Sequence, residues 1–288
     1  MKNIVILFFI LVMCSLIFGQ TTSKFQLSEE KLDNHIEKMW ANINALKSYS
    51  YTFYKNERII GESELVKTIQ KIKYNVTPKK ILIEIIKGPN TGTKTVFKLG
   101  ENGNKLKTDV GNWLPTVNLS PFGSIAMASQ RHTIYELGLK YTGKVIYGTY
   151  SAKKNMKEDI SKYIKYEYNI IFDNRNCFKI TVTDPTYKLI SYTVRLGESI
   201  RKIAKAKNLD AYSLLELNPS LKGSYTNIKV GDVIKIPTTY SKTTIIYVDA
   251  KTYIPIYQKL YDNNGVVAES KYSDLIINPS FSESDFDL

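Results

Sequence analysis

Chemistry has few places to start in this chain. His35, His132, Cys14 and Cys177 are its only imidazoles and thiols. A thiol nucleophile needs an adjacent base, and the one pair able to make it is Cys177 with His132. Cys177 falls inside a strand pattern, so an inert, buried thiol is expected there. Arg131-His132 falls where a helix can start, so a structural salt bridge or cap is expected. His35 lies beside an apolar helical stripe and reads as a surface or boundary residue. Glu62 and Glu64 look like hairpin surface, not the paired carboxylates of a glycosidase. No G-x-S-x-G, H-x-H or H-E-x-x-H occurs, so neither a nucleophile elbow nor a zinc helix can be built. Gly100-Glu101-Asn102-Gly103 is turn chemistry without the context of a phosphate loop. No catalytic residue, metal set or cofactor is expected, and the chain reads as a non-enzyme.

Binding chemistry has a better home in Tyr192–Pro237, which reads as a small β-α-α-β unit. Tyr192 to Arg195 alternates like a strand, and Gly197 supplies a sharp turn. Ser199 caps a helix with Ile200, Ile203 and Ala204 on one face. Asn208 suits the left-handed residue that ends it, and Asp210 caps the next helix, with Leu214, Leu215 and Leu217. Asn218-Pro219 breaks that helix, and Gly231-Asp232 turns into a closing strand that Pro237 stops.

The landmarks YTV, LGES, I-x-x-I-A, LLELNP and IKVGDVIKIP, in this order, resemble a LysM module, with GES where that family usually has GDT. The resemblance implies binding of N-acetylglucosamine-containing glycans such as peptidoglycan. A neutral sugar is held by shaped polar backbone and an apolar wall, without a titrating side chain. By the motif match the glycan-binding residues are Gly197, Glu198, Ser199 and Ile200 on the first loop. Asn218, Pro219 and Leu221 lie on the second, with Ile228 beside them. Each also has a structural part: Gly197 as turn, Ser199 as cap, Pro219 as helix stop, Ile200 and Leu221 as core.

The remaining elements must carry this unit. Leu32, Ile36, Met39, Trp40, Ile43 and Leu46 follow Ser28-Glu29-Glu30 at helical spacing. Alternating runs follow at Tyr49–Tyr54, Thr68–Val76, Lys80–Ile86, Thr93–Leu99 and Lys105–Val110, an antiparallel meander with hairpin-scale loops. The Ile81–Ile86 strand reads as covered on both sides. Residues 113–120 read as irregular, and helices are expected at Ser124–Met127 and Thr133–Lys144. Strands resume at Tyr163–Phe172, Cys177–Thr183, Thr243–Val248, Ile254–Tyr261 and Val266–Ile277, before an acidic tail read as frayed.

The expected fold class is α+β: a curved antiparallel half-barrel sheet with covering helices, plus an inserted βααβ module. The domain reading is 1–19 signal peptide, 20–190 with 238–288 as host, and 191–237 as the insertion. Element order in the host is similar to the LolA/LolB-type half-barrel of periplasmic lipoprotein carriers. KGPNTG, QRHTIYELG over Gln130–Gly138 and YVDAKTYIPIYQKLYD resemble an uncharacterised exported family near them. That resemblance implies an apolar concave face able to hold an acyl lipid or lipoprotein; the alternative is a filled core.

Lys2 followed by the apolar run Ile4–Phe18 reads as a secretory signal, too short for a span and without a basic far flank. Cys14 follows Met13, too large for the residue before a lipidated cysteine. A chain spanning no membrane once the signal is removed, periplasmic or extracellular, is therefore expected. The net charge of +13 favours anionic partners, but the charges are scattered, and nucleic acid is not expected. The reading is an envelope protein that binds peptidoglycan through its LysM-like module, its host binding a lipid or lipoprotein. The alternatives are a lipid carrier in which the module is only scaffold, and a peptidoglycan hydrolase.

Overall fold

A computed structural model describes residues 29–111, 115–155 and 159–288; the signal reading of 1–19, Ser28 and Trp113 lie outside them. The chain opens with α1 (Glu29–Ala45), whose Leu32, Ile36, Met39 and Ile43 recur at helical spacing and are buried. Six strands follow: β1 (Ser48–Glu57), β2 (Val66–Asn75), β3 (Lys80–Lys87), β4 (Lys94–Lys98), β5 (Leu106–Asp109) and β6 (Val117–Leu119). Next come the short α2 (Ser124–Met127), the long α3 (Leu139–Asn155) and the hairpin β7 (Ile164–Phe172)–β8 (Arg175–Thr183). A small unit holds β9 (Leu189–Thr193), α4 (Ile200–Lys207), α5 (Ala211–Glu216) and β10 (Val233–Pro237). The chain then finishes with β11 (Thr243–Asp249), β12 (Pro255–Asp262) and β13 (Gly265–Ile277).

Eleven strands form one antiparallel sheet in the order β6-β5-β4-β3-β2-β1-β13-β12-β11-β8-β7, while β9 and β10 pair only with each other. The large sheet is open, not closed into a barrel, as the half-barrel expectation required. Its period of two is clearest in β1, where Tyr49, Tyr51, Phe53, Lys55 and Glu57 all turn inward. Tyr272 sits opposite Phe53, and Ser270 opposite Lys55. Helices α1 and α3 lie over this inner face, and their apolar residues join those of the sheet in one core. Gly143 of α3 lets the two helices meet: a Cβ there would lie 2.6 Å from Ile43 Cδ1. Gly138, at φ +98°, lies where a Cβ would come within 2.5 Å of the Tyr49 hydroxyl.

The small unit leaves and re-enters the sheet at one point. Thr183 of β8 is the cross-strand partner of Thr243 of β11, and Asp184 N–H donates to Lys242 O at 2.9 Å. The unit has its own core of Val194, Ile200, Ile203, Leu214, Leu215, Ile234 and Ile236.

Three local expectations are corrected. The helix expected over 133–144 begins as a 3-10 turn at Ile134–Glu136 and becomes α-helical only at Leu139, running on to Asn155. Thr133 and Glu136 close a capping box on that first turn, and left-handed Gly138 separates it from α3. The irregular stretch contains β6, which pairs with β5 through Leu106 and Leu119. The acidic tail is not frayed: Phe286 is buried, and Asp285 and Asp287 bind Lys73 and Lys98 at 2.7 and 3.1 Å. Glu283 binds Lys80, so the tail lies over β2–β4.

Candidate functional site

The β9–α4 loop is held by its own polar groups. Glu198 accepts the Arg195 N–H at 2.8 Å and the Tyr192 hydroxyl at 2.7 Å. Those hydrogen bonds, the backbone one first, hold its carboxyl below the usual range. Gly197 takes φ +76°, and Ser199 caps α4 by accepting from Lys202 N–H. The second loop hangs on Asn218, which donates to Leu214 O and Lys235 O at 2.7 and 2.8 Å and accepts from Lys235 N–H. Pro219 then opens a 3-10 turn ending at Leu221, with Lys222 at φ +49°. Asn208 is left-handed, and Asp210 caps α5 through Tyr212 N–H.

These positions do not share one accessibility. Gly197 and Pro219 are exposed, while Glu198, Ser199 and Ile228 are half-buried. Ile200, Asn218 and Leu221 are buried, so their side chains serve the module's framework. The Ile200 N–H is occupied by Tyr225 O at 3.1 Å, which ties the first loop to residues 224–226. Leu196, just before the turn, is 89% exposed.

Residues not anticipated from the sequence border these loops. Phe122, Ser124 and Met127 form one wall of a surface cleft; Ser199, Arg201 and Tyr225 of the small unit form the other. The Arg201 guanidinium lies 3.6 Å from the Tyr225 ring centre and 5.0 Å from that of Phe122. Phe122 carries no local signal for this role, since the contact joins segments far apart in the chain.

A second candidate site is a cavity of about 470 Å³ under the inner face of the large sheet. Ile83, Leu106, Leu119, Ile134, Val145, Ile146, Val182 and Ile246 line it. One end is polar. Lys55 donates to Glu57 at 2.9 Å and to Gln130 at 2.6 Å, with Arg131, Asp210 and Ser213 close by on the same cavity wall. Burial pushes the Glu57 carboxyl up, but Lys55 and the other nearby cations outweigh it, and the net value is below the usual range.

That polar end is also the junction of the two units. Arg131 is fully buried and donates to Arg58 O at 2.7 Å. Across the junction it donates to Asp210, Ser213 and Glu216 at 2.7, 2.8 and 2.8 Å. Tyr212 places its ring against the same guanidinium, and its hydroxyl accepts the Ile60 N–H at 2.8 Å. Arg58 holds Glu216 at 3.0 Å and Asp262 at 2.5 Å. Burial works against ionising Asp210, yet Arg131 prevails and brings its pKa down to about 2. The expected salt bridge at Arg131 is therefore present, with partners in the small unit.

The remaining candidates are placed as their residue types implied. Cys177 is fully buried, and burial raises its thiol pKa. His35 is half-buried, bonded to the Tyr166 hydroxyl and stacked on Phe178, and burial lowers its pKa. Glu62 and Glu64 are exposed on the β1–β2 loop. Among the described residues no group of His, Cys, Asp and Glu could hold a metal, and no helix is long and apolar enough to cross a membrane.

Residues 46–193 match the family described as "Protein of unknown function (DUF1571)", and residues 192–237 match the LysM domain, as the resemblance there implied. A comparison with curated proteins finds no match. Among solved structures, the chain is similar to an uncharacterized conserved protein from Thermus thermophilus (8% identity, 89% of this chain and 92% of that one, TM-score 0.40). It is also similar to the lipoprotein LppX of Mycobacterium tuberculosis (11%, 88% and 99%, 0.42). A third is a LolA superfamily protein from Nitrosomonas europaea (8%, 89% and 97%, 0.34).

Proposed function

The chain belongs to the DUF1571 family, and we propose that it is an exported, non-catalytic envelope protein that grips peptidoglycan through its LysM domain. In this reading 1–19 is a cleaved signal, the mature chain is periplasmic or extracellular, and 191–237 is a module inserted in the host formed by 20–190 and 238–288. The insertion is supported by the Thr183–Thr243 pairing, which brings both ends of the module to one point of the sheet. Glycan binding is carried by one observation: the module matching LysM has a closed core of its own and keeps Gly197 and Pro219 exposed. Affinity for a short glycan is weak, because one small module has little contact area to offset the lost freedom. A repeating wall polymer raises it. The test is co-sedimentation of the full exported chain with purified sacculi. Pelleting that N-acetylglucosamine oligomers reverse supports the proposal, and a chain left in the supernatant sinks it.

A second activity fits beside the first. The 470 Å³ cavity has the size of ligand pockets, roughly 300–1,000 Å³, with mainly apolar walls and polar groups among them that include Lys55, Glu57 and Arg131. We infer that the host holds an acyl lipid or lipoprotein there. Native mass spectrometry of gently purified protein then shows a bound acyl species; consistently ligand-free protein, still empty after exposure to lipid extract, removes this reading. The absence of catalysis is supported by the buried Cys177 thiol, and release of sugar or peptide products from sacculi would contradict it.

A further inference from the structure

We propose that the glycan held by the LysM domain is an anionic one, a sugar polymer bearing carboxylates; this rests on the glycan-binding reading above. The module's acids are Glu198, Asp210, Glu216 and Asp232. Two of them face away from any ligand. Asp210 and Glu216 turn into the junction, where Arg131 and Arg58 neutralise them at 2.7–3.0 Å. Glu198, half-buried on the first loop, keeps its charge while it accepts from Arg195 N–H and the Tyr192 hydroxyl, and Asp232 is exposed, accepting the Lys229 N–H at 2.7 Å.

The cations take the opposite course. Arg195, Lys202, Lys222, Lys229 and Lys235 are all exposed. Three of them bracket the candidate loops: Arg195 comes before Gly197, Lys222 directly after Leu221, and Lys229 directly after Ile228. Lys202 reaches over the first loop and donates to Gly197 O at 2.7 Å. A neutral oligosaccharide draws nothing from this field. A polyanion gains in approach rate, orientation and contact energy, all of which salt weakens. Docking of Asp210 and Glu216 onto the host thus leaves the module's outward face predominantly positive, with Glu198 and Asp232 as its remaining acids. The same chain segment without that junction would carry Asp210 and Glu216 at its surface.

Two tetrasaccharides with one sugar backbone isolate the charge. One alternates N-acetylglucosamine with N-acetylmuramic acid and keeps its lactyl carboxylates free; the other has them amidated. Several exposed charge contacts, each of the usual modest strength, together give about tenfold tighter binding of the free acid by the full exported chain at low salt. By calorimetry that gap closes at about 0.5 M salt, where the screening length is a few ångströms. In a Lys222→Gln/Lys229→Gln double variant it narrows to about twofold, with two of the contacts gone. Equal affinity of the unaltered protein for both sugars overturns the inference while the wall reading stands. Failure to bind either sugar, or sacculi, removes the wall reading and this inference with it.

Discussion

Arg131 of the host and Asp210 of the small unit meet at 2.7 Å with both side chains almost wholly out of solvent. Each answers a local need as well: Asp210 caps α5, and Arg131 binds the carbonyl of Arg58 at the end of β1. The contact therefore ties the start of the module's second helix to a strand of the large sheet. It also sits at the polar end of the cavity, so the module forms part of the cavity wall.

Removing one partner of a buried, hydrogen-bonded ion pair leaves the other uncompensated. Arg131→Met strands Asp210 and leaves Glu216 with Arg58 alone, and is expected to cost about 3–5 kcal/mol in urea denaturation. Adding Asp210→Asn and Glu216→Gln should recover a large part of it. If Arg131→Met unfolds with the midpoint of the unaltered chain, the junction does not stabilise the fold.

Asp210 also sets a pH dependence. Its folded pKa of about 2 lies below the ordinary 3.8, so its stabilisation is complete above pH 3.8 and is lost as pH falls toward 2. Thermal melts across that window should show a drop that Asp210→Asn reduces. An unchanged slope in the variant contradicts the assignment.

Two glycines of α3 should respond with opposite signs. A Cβ at Gly148 meets nothing within 4 Å, so Gly148→Ala stabilises by about 0.5–1 kcal/mol through helix propensity. A Cβ at Gly143 runs into Ile43, whose branched side chain has little freedom to move, so Gly143→Ala destabilises by about 1–3 kcal/mol despite the same propensity gain. Melting temperatures that move in the same direction would show that α1 and α3 are not packed this closely.

Lys55 and Glu57 are a buried pair on the inner face of an otherwise aromatic strand. Lys55→Met alone leaves Glu57 unpaired and should cost about 3 kcal/mol, while Lys55→Met with Glu57→Leu should come close to neutral. A double-mutant cycle by urea denaturation reads the coupling; additive effects would mean the pair is not formed.

Phe286 anchors the tail. Phe286→Ala should cost about 3 kcal/mol by emptying a buried aromatic site. Limited proteolysis should then release the residues after Pro279, whereas the unaltered tail resists. Equal cleavage of both proteins would return the tail to a frayed state.

Much of this architecture is written in short-range pattern. The Leu32–Ile43 stripe, the alternation of Tyr49, Tyr51 and Phe53, and the caps at Ser199 and Asp210 state their elements locally, because period and capping depend on residues within a turn or two. The LysM match is legible for the same reason, since its turns and caps occur in a fixed order. The bounds of the Thr133–Lys144 helix are harder to read. Apolar spacing runs through Gly138, and only its left-handed backbone divides the 3-10 turn from α3. The tail misleads because an acidic, polar stretch looks solvated until lysines on a distant sheet face supply its partners.

The sequence by itself determined most of the element types, the LysM-type module and the lack of a recognisable catalytic motif, all of which rest on residue identity and local spacing. Only the tertiary structure decided that Arg131 turns to Asp210 and Glu216, that Phe122 borders the module's loops, and that a cavity remains beneath the sheet. Those facts depend on which distant surfaces come together and how completely they fill space, and no local period carries that information.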